Sequence, residues 1–437
     1  MTNGARTTTE WKPLSRIAFR FVVAYFGMFC LLFAQVTFVF TGLAGKWLPD
    51  GAIMWQMRTV TPLTDWLGGK VFGVDAVLHE DSGSGDQASI WLLIFGQLIA
   101  AVVITVVWSV LDRRRRQYVT FGSWFLAAMR LCLGGQMLWY GIFKLVPTQM
   151  PSPALTALLT DYGDFTPMMV LWNQVGSSHH YEMALGAAEV VGGLLLFLPR
   201  TATGGALLSM ICMAQVFLLN MTFDVPVKIL SFHLLLLSLV VLAPQARRLA
   251  NVLVLEKDSE PATQPALFAS ARSNRISATL QVALGIWILL GAVQIAWQGW
   301  REWGDGAPKP ELYGIWNVTE FTMDGQPVPP LTTDPIRWQR LVVDTNDTSY
   351  QLMDDTFVPT VATVDTTADT ITLTEPASTP DAEPTEIATF TFVRPTPEEM
   401  TLTGKLNGRA VTVVLQEFDI DSFPQRSRGF NWVQEYA

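Results

Sequence analysis

The chain has 437 residues and a net charge of −9, which leaves room for two or three domains. Half of the residues are hydrophobic, 15 % are charged and the mean hydropathy is +0.30, a composition typical of proteins with several membrane spans. From Gly304 onward, 21 acidic residues stand against 8 basic ones, a net charge of −13. Because nucleic-acid binding needs a basic face, this distribution excludes a nucleic-acid partner.

Seven apolar segments predict membrane-spanning helices, since a span needs about 20 mostly apolar residues. They are 17–39, 89–110, 121–146, 181–198, 203–221, 226–243 and 276–298. The first has no small-residue cleavage site of the kind that ends a signal peptide, so we expect it to be retained as a span. The lipid bilayer is therefore the first partner that the sequence predicts.

Basic residues beside these segments predict the orientation, because loops rich in Lys and Arg stay on the inner side of a membrane. The flanking basic residues are Lys12, Arg16, Arg113, Arg114, Arg115, Arg116, Arg200, Arg247, Arg248, Arg272 and Arg275. All of them fall on one side if the N-terminus is inside and the C-terminal region is outside. We expect a multi-pass protein of the bacterial cytoplasmic (inner) membrane with its C-terminal domain outside.

After Pro310 the pattern changes to short alternating runs rich in Thr and Val, which are typical of strands. The predicted strands are 313–322, 337–344, 348–353, 358–364, 369–374, 386–393, 399–405 and 409–418. Asp324-Gly325 and Asn407-Gly408 predict tight hairpins. Strands of this number and length indicate a small antiparallel barrel or sandwich. Gly314-x-Trp316 with the late Arg428 resembles the lipocalin pattern, which implies that Arg428 covers the tryptophan.

The predicted fold class is an α-helical polytopic membrane protein with a C-terminal all-β domain. Its parts are two spans with a Trp-rich outer loop (1–120), a four-helix membrane core (121–250), an inner linker without regular structure (251–275), a seventh span (276–300) and the outer β domain (304–437). The outer loop ends in Ser82-Gly83-Ser84-Gly85, a composition typical of flexible chain.

Two predicted spans carry charged and small residues at helical spacing. The set in the third span is Arg130, Gly134, Met137, Gly141 and Lys144, and the set in the fourth is Glu182, Gly186, Glu189 and Gly193. At 3.6 residues per turn, each set lies along one face of its helix. Because glycine lets two helix backbones approach closely, we expect these two faces to meet.

The deepest charges on these faces should have partners. Arg130 and Glu189 both lie near the middle of their spans, where an unpaired charge costs at least about 2.5–3.5 kcal/mol. We therefore predict an Arg130–Glu189 pair, with Lys144 directed to the outer mouth. Two such pairs cannot form in one register. Lys144 lies about 21 Å along its helix from Arg130, whereas Glu182 lies only about 10 Å along its helix from Glu189.

The outer ends of the predicted spans collect further polar residues. Pro226 suits the first turn of a helix, Asp224 suits its positive end, and Asp224 can pair with Lys228 four residues later. We predict one outward-facing polar cavity. Its lining residues would be Lys144, Glu182, Asn220, Asp224, Lys228 and His233.

Less specific explanations of these residues remain open. Charged pairs in a helix bundle can serve only to fix the helix register, and lysines near span ends reach to the headgroups. His179 and His180 fit loop residues better than metal ligands, and no metal site is predicted. Cys30, Cys132 and Cys212 lie in apolar segments without a CxxC motif, which indicates packing residues.

The third to sixth spans resemble the DoxX-like family of bacterial four-helix membrane proteins. The likeness covers about 121–245. It is carried by Arg130…Gly134…Gly141-x-x-Lys144, Glu189-Val-Val-Gly-Gly…Pro199-Arg200-Thr201, Asn220…Asp224-Val-Pro-Val-Lys228 and Trp172…Gly176-Ser…Tyr181. The resemblance implies a four-helix bundle in the cytoplasmic membrane. Because its name-giving members are subunits of a thiosulfate:quinone oxidoreductase, it also implies a quinone as cofactor, although none is evident in the residues themselves.

These observations predict a membrane protein that engages a small amphipathic ligand, quinone-like or lipid-like, in redox or cell-envelope physiology. The outer β domain would cover the cavity or dock an extracytoplasmic protein. No catalytic residue is identified, and any enzymatic role would be that of a subunit of a quinone-linked oxidoreductase. Two alternatives stay open, a proton- or ion-coupled transporter and a non-catalytic scaffold that presents the β domain.

Overall fold

The computed structural model describes residues 10–49, 51–259, 266–377 and 385–435. The chain forms two compact units, Met1–Gln149 with His180–Gln298, and Met150–His179 with Gly299–Ala437. The helices are α1 Pro13–Leu32, α2 Ala34–Phe38, α3 Trp55–Leu67, α4 Ala88–Leu111, α5 Val119–Leu145, α6 Leu155–Leu159, α7 Pro167–Gly176, α8 His179–Phe197, α9 Ala202–Thr222, α10 Lys228–Leu242, α11 Ala246–Leu253, α12 Ala271–Glu302 and α13 Pro424–Ser427.

Each of the seven predicted spans contains a helix. Within the described residues, five helical stretches are long and apolar enough to cross a membrane: α1, α4, α9, Lys228–Leu253 and α12. The remaining two, α5 and α8, are 27 and 19 residues long and carry the charged side chains that reduce their hydropathy. The predicted class, an α-helical polytopic membrane protein with a C-terminal all-β domain, is confirmed.

The first predicted span is broken rather than continuous. The backbone leaves the helical conformation at Phe33, and after α2 the chain continues as a tight helical segment, Val39–Trp47, in which Gly42 has φ +51°. A Cβ added to Gly291 of α12 would lie 2.3 Å from the carbonyl carbon of Gly42, so the two backbones are in direct contact. The second departure from helical geometry, at Gly42, therefore lies where two glycines let α12 approach.

The loop before α4 is ordered by hydrogen bonds, although its sequence predicts flexible chain. The amide of Gln87 donates to the carbonyl oxygens of His79 and Ser84 and to the hydroxyl of Ser82. The backbone N–H of Gly85 donates to the carbonyl of Pro226 at 2.8 Å. The local bonds of Gln87 and the long-range bond of Gly85 replace the flexibility that Gly and Ser would otherwise give.

The inner linker is shorter than predicted. Helix α11 extends to Leu253, and α12 begins at Ala271, five residues before the predicted span. Residues 254–259 and 266–270 contain neither helix nor strand. The remainder of the linker, 260–265, lies outside the described residues.

The second unit is built around an antiparallel barrel. Its strands are β1 Gly314–Met323, β2 Gln326–Pro327, β3 Trp338–Val343, β4 Thr348–Leu352, β5 Phe357–Asp365, β6 Thr370–Thr374, β7 Glu386–Thr396, β8 Glu399–Leu406 and β9 Arg409–Phe418. Each strand from β3 to β9 pairs with the next, and β1 pairs with both β3 and β9, which closes the barrel. The two-residue β2 pairs with the end of β1. The predicted strands are confirmed within a few residues.

Local sequence explains both the hairpins and the filled interior of the barrel. Asp324-Gly325 and Asn407-Gly408 all have positive φ, as two-residue hairpin turns require. The alternating apolar residues point inward and form one buried cluster that includes Trp316, Trp338 and Phe390. The barrel interior is therefore a packed core.

The arginine over Trp316 is not the predicted one. Trp316 is 1 % exposed and its indole N–H donates to the carbonyl of Leu312 at 2.9 Å. The guanidinium of Arg394, on β7, lies 5.2 Å from the centre of the Trp316 ring. Arg428 follows α13 and is exposed. The prediction for Arg428 is wrong because the chain beyond β9 turns into α13 instead of returning to β1.

Residues 150–179, predicted as part of the helical core, belong to the β unit. Leu155 of α6 is 1 % exposed and packs with Ile315 of β1 and Val342 of β3. Its backbone N–H donates to a carboxylate oxygen of Asp344 at 2.8 Å. This excursion between α5 and α8 is therefore anchored on the outside of the barrel wall.

Candidate polar sites in the helical unit

The small-residue faces of α5 and α8 meet, as predicted. A Cβ added to Gly186 would lie 2.6 Å from the carbonyl oxygen of Gly141 and 2.8 Å from Cβ of Lys144. A Cβ on Gly141 would lie 3.0 Å from Cβ of Glu189. These contacts leave no room for a larger side chain and fix the register of the two helices.

A leucine at this crossing should separate the helices. We expect Gly186→Leu to lower the free energy of unfolding by about 1–3 kcal/mol or more, because backbone atoms of α5 cannot yield to the new side chain. Gly204→Leu in α9 is the matched control, since no atom of the described residues outside its own helix backbone and chain neighbours lies within 4 Å of the Cβ it would add. Thermal unfolding in detergent measures both variants. Equal unfolding temperatures for the two would contradict the close crossing.

The crossing brings Lys144 to Glu189. Nζ of Lys144 lies 2.9 and 2.8 Å from the two carboxylate oxygens of Glu189, and the side chains are 6 % and 3 % exposed. The predicted Arg130–Glu189 pair is therefore wrong. Because Gly141 contacts Glu189, the lysine one turn further on is within reach, whereas Arg130 lies about 16 Å back along α5.

Two further polar side chains lie on the same helices as this ion pair. The centre of the Tyr140 ring is 6.0 Å from Nζ of Lys144. Glu182, two turns before Glu189 in α8, is 0 % exposed. Sequence reasoning identified Glu182 by its position on the stripe and missed Tyr140, which looked like an ordinary aromatic residue of an apolar helix.

Arg130 is engaged by α12 rather than α8. The guanidinium donates from Nη2 to the side-chain oxygen of Gln281, whose amide nitrogen donates to the hydroxyl of Ser277 at 3.0 Å. Arg130 is 6 % exposed, and no carboxylate among the described residues forms a salt bridge with it. Gln281 was missed, although a glutamine within an apolar predicted span was a visible signal.

Arg130 lines a cavity of about 430 Å³ at one end of the helical unit. Its walls come from the first half of α5, the turn between α8 and α9, the end of α10 and the start of α12. Polar lining residues are Ser123, Arg130, Thr203, Gln245, Asn274, Ser277 and Gln281. A second cavity of about 540 Å³ between α5 and α12 is mainly apolar, and both cavities are lined by Ala127, Leu267, Ser277 and Gln281.

Asn220, Asp224 and Lys228 are engaged at the start of α10. The predicted Asp224–Lys228 pair is confirmed at 2.9 Å, with Asp224 exposed. Asp86, from the loop before α4, accepts the backbone N–H groups of Lys228 and Ile229 at 2.8 and 2.9 Å. Asn220 donates to the hydroxyl of Ser231 at 3.0 Å. This arrangement satisfies the first backbone donors of α10 and is that of a helix cap.

His233 faces α1. Its Nδ1 lies 2.7 Å from the carbonyl oxygen of Ile229, which can only accept, so Nδ1 carries a proton. Its Nε2 lies 2.7 Å from the hydroxyl of Tyr25, and its ring stacks on Phe29 at 4.3 Å between centres. Lys144, the group Asn220, Asp224 and Lys228, and His233 were predicted to line one outer cavity and instead take part in three separate sets of contacts.

In the β unit, Ser152, His179 and Asp305 form a group that resembles a catalytic triad in composition. The Ser152 hydroxyl and the Asp305 carboxylate both lie at Nε2 of His179, at 3.1 and 3.0 Å. A triad needs them on opposite ring nitrogens, so this histidine cannot relay a proton between them. No group of three or more metal-ligating side chains occurs among the residues described.

Comparison with curated proteins matches the uncharacterised protein YwoB of Bacillus subtilis (strain 168). The two sequences are 30 % identical over 135 residues, which is 29 % of this chain and 80 % of the Bacillus protein. No protein-family model and no solved structure matches the chain.

Proposed function

We propose that this protein, which belongs to the same family as YwoB, is a membrane protein that binds a small amphipathic ligand. Because the printed name of YwoB assigns no activity, the polar sites have to indicate the function. The ligand occupies the cavity beside Arg130. We take its location to be a bacterial cytoplasmic membrane with the N-terminus inside, as the flanking basic residues indicate. DoxX-like membership, with a quinone-like or lipid-like ligand, is part of the same proposal.

The observation that carries this proposal is the buried Arg130 guanidinium in the wall of a cavity of about 430 Å³. A buried guanidinium without a counter-charge costs free energy, because burial removes its hydration. The oxygen of Gln281 offsets only part of that penalty, because a neutral acceptor binds a guanidinium less strongly than an anion does. Charged groups kept within membrane spans without a counter-charge are typical of ligand pathways.

The buried Lys144–Glu189 ion pair supports a structural role and not ligand binding. Lys144 and Glu189 neutralise each other with two short contacts at a close helix crossing, which is what fixing a helix register requires. The β domain, with its interior filled by side chains, supports a docking role toward an extracytoplasmic protein better than ligand binding inside the barrel.

Mass spectrometry of small molecules that co-purify in mild detergent tests the proposal. We expect a stoichiometric amphipathic molecule with the wild-type protein and its loss from Arg130→Gln. Arg20→Gln is the matched control: Arg20 is 3 % exposed but donates to Tyr118, Ser109 and the carbonyl of Asp112, away from the cavity lining. Folded wild-type protein that carries no small molecule and takes none up would refute the proposal.

A further inference from the structure

We infer that the ligand is a single-chain amphiphile with an anionic headgroup, a carboxylate or a phosphate, bound head-first to Arg130. This inference rests on the proposed function and adds the chemical class of the ligand. The two cavities share lining residues and match the two parts of such a molecule: the one that contains Arg130 and six other polar side chains takes the head, and the more apolar one takes the chain.

Arg130 retains donors for a headgroup. Nη2 donates to Gln281, while Nε and Nη1 have no hydrogen-bond acceptor among the described residues. The Ser277 hydroxyl accepts from Gln281 and keeps its own proton available for donation. A carboxylate or phosphate can accept two parallel guanidinium N–H bonds, which is the strongest hydrogen-bonded arrangement open to arginine.

The electrostatics of the cavity favour an anion. Among the residues that the structure describes, none that lines either cavity is acidic. Arg200 follows the lining residue Pro199, and Arg272 and Arg275 flank Asn274 in the first turns of α12. The N-terminal end of α12 itself carries positive partial charge. A neutral headgroup would use none of these contributions.

The adjoining cavity suits a single hydrocarbon chain. Its volume is about 540 Å³, and its walls are mainly Leu131, Leu280 and Leu284 with Trp124 and Phe268. A chain that starts from the headgroup at Arg130 can enter it past Ala127 and Ser277, which line both cavities. Each buried methylene should strengthen binding roughly fourfold, since it contributes about 0.8 kcal/mol.

Headgroup charge is tested on the delipidated full-length protein in mild detergent. The probes are oleate, oleoyl lysophosphatidate, methyl oleate and decylubiquinone, and native mass spectrometry gives the dissociation constants. We expect at least one of the two acids to bind roughly 10- to 100-fold more tightly than methyl oleate and decylubiquinone, because a hydrogen bond to a charged group is worth about 1.5–3 kcal/mol. The tighter of the two acids distinguishes a carboxylate from a phosphate headgroup.

Three variants place the two ends of the ligand. Arg130→Gln should abolish the preference for acids over the ester, and Arg130→Lys should keep part of it. Ala128→Trp, which covers the apolar cavity alone, should weaken binding of oleate but leave octanoate unchanged. Arg20→Gln, outside both cavities, should leave all four dissociation constants unchanged.

The outcomes separate this inference from the proposed function. Binding of decylubiquinone or the ester as tight as that of the acids would overturn the anionic headgroup and leave ligand binding intact. Absence of binding for all probes, with the protein folded, would count against both. Should Arg130→Gln fail to fold, the comparison of acid with ester on the wild-type protein still decides.

Discussion

Removing one partner of the Lys144–Glu189 pair is expected to lower the free energy of unfolding by about 3–5 kcal/mol. Glu189→Gln leaves the ammonium group of Lys144, a residue that is 5 % exposed, without a counter-charge. Lys144→Met likewise leaves the buried carboxylate of Glu189 without a counter-charge. In both cases a charge that has lost its hydration finds no compensating charge. Thermal unfolding in detergent and the yield of monodisperse protein measure the loss.

Two comparisons show whether the pair serves structure alone. Replacing both residues together, Lys144→Met with Glu189→Leu, removes both buried charges, so we expect stability close to the wild-type value. The exposed pair Arg58–Glu80, with side chains 52 % and 32 % exposed, is the matched control, and Arg58→Ala should leave stability close to the wild-type value. Single variants at Lys144 or Glu189 that are no less stable than Arg58→Ala would contradict the buried pair.

Trp316→Ala is expected to lower the stability of the β unit by about 3–5 kcal/mol, the usual result of truncating a fully buried aromatic residue. Trp316 lies at the junction of β1 with β3 and β9, where the barrel closes. Its loss leaves a cavity at that closure and removes the hydrogen bond to Leu312. Hydrogen exchange of the full-length protein, read over β1 and β9, measures the effect within the β unit.

The two arginines provide the control for this experiment. Arg394→Ala should lower stability by about 0.5–1 kcal/mol, because it removes a cation–π contact over the Trp316 ring. Arg428→Ala should have no effect, since Arg428 is exposed. Faster exchange in Arg428→Ala than in Arg394→Ala would overturn the assignment of Arg394 as the residue that covers Trp316.

Periodic patterns in the sequence predicted the elements and the faces they present. The spacing of apolar residues located the helices of the seven predicted spans and the strands of the barrel, because helix and strand periodicity are properties of a single segment. The turns at Asp324-Gly325 and Asn407-Gly408 were predictable for the same reason, since positive φ is a local requirement. The meeting of α5 with α8 also followed from one-dimensional patterns, because the glycines and the charges fell on one face of each helix.

Which side chains contact one another could be established only from the packing of the helices. The crossing of Gly141 with Gly186 set the register of α5 and α8 and gave Glu189 to Lys144, although depth alone had favoured Arg130. A contact across helices depends on the rotation and the axial shift of both, and a shift of one turn, about 5.4 Å, exchanges one partner for another.

The same reason explains the contacts that join segments distant in the sequence. Gln281 reaches Arg130 across 151 positions, and Asp86 caps α10 across 142. Arg394 rather than Arg428 covers Trp316 because β7 passes near β1 in the closed barrel, whereas the chain after β9 turns away. Local periodicity is enough to predict helices and strands. The cavity beside Arg130 forms where four chain segments meet, and only the packing of the whole chain brings them together.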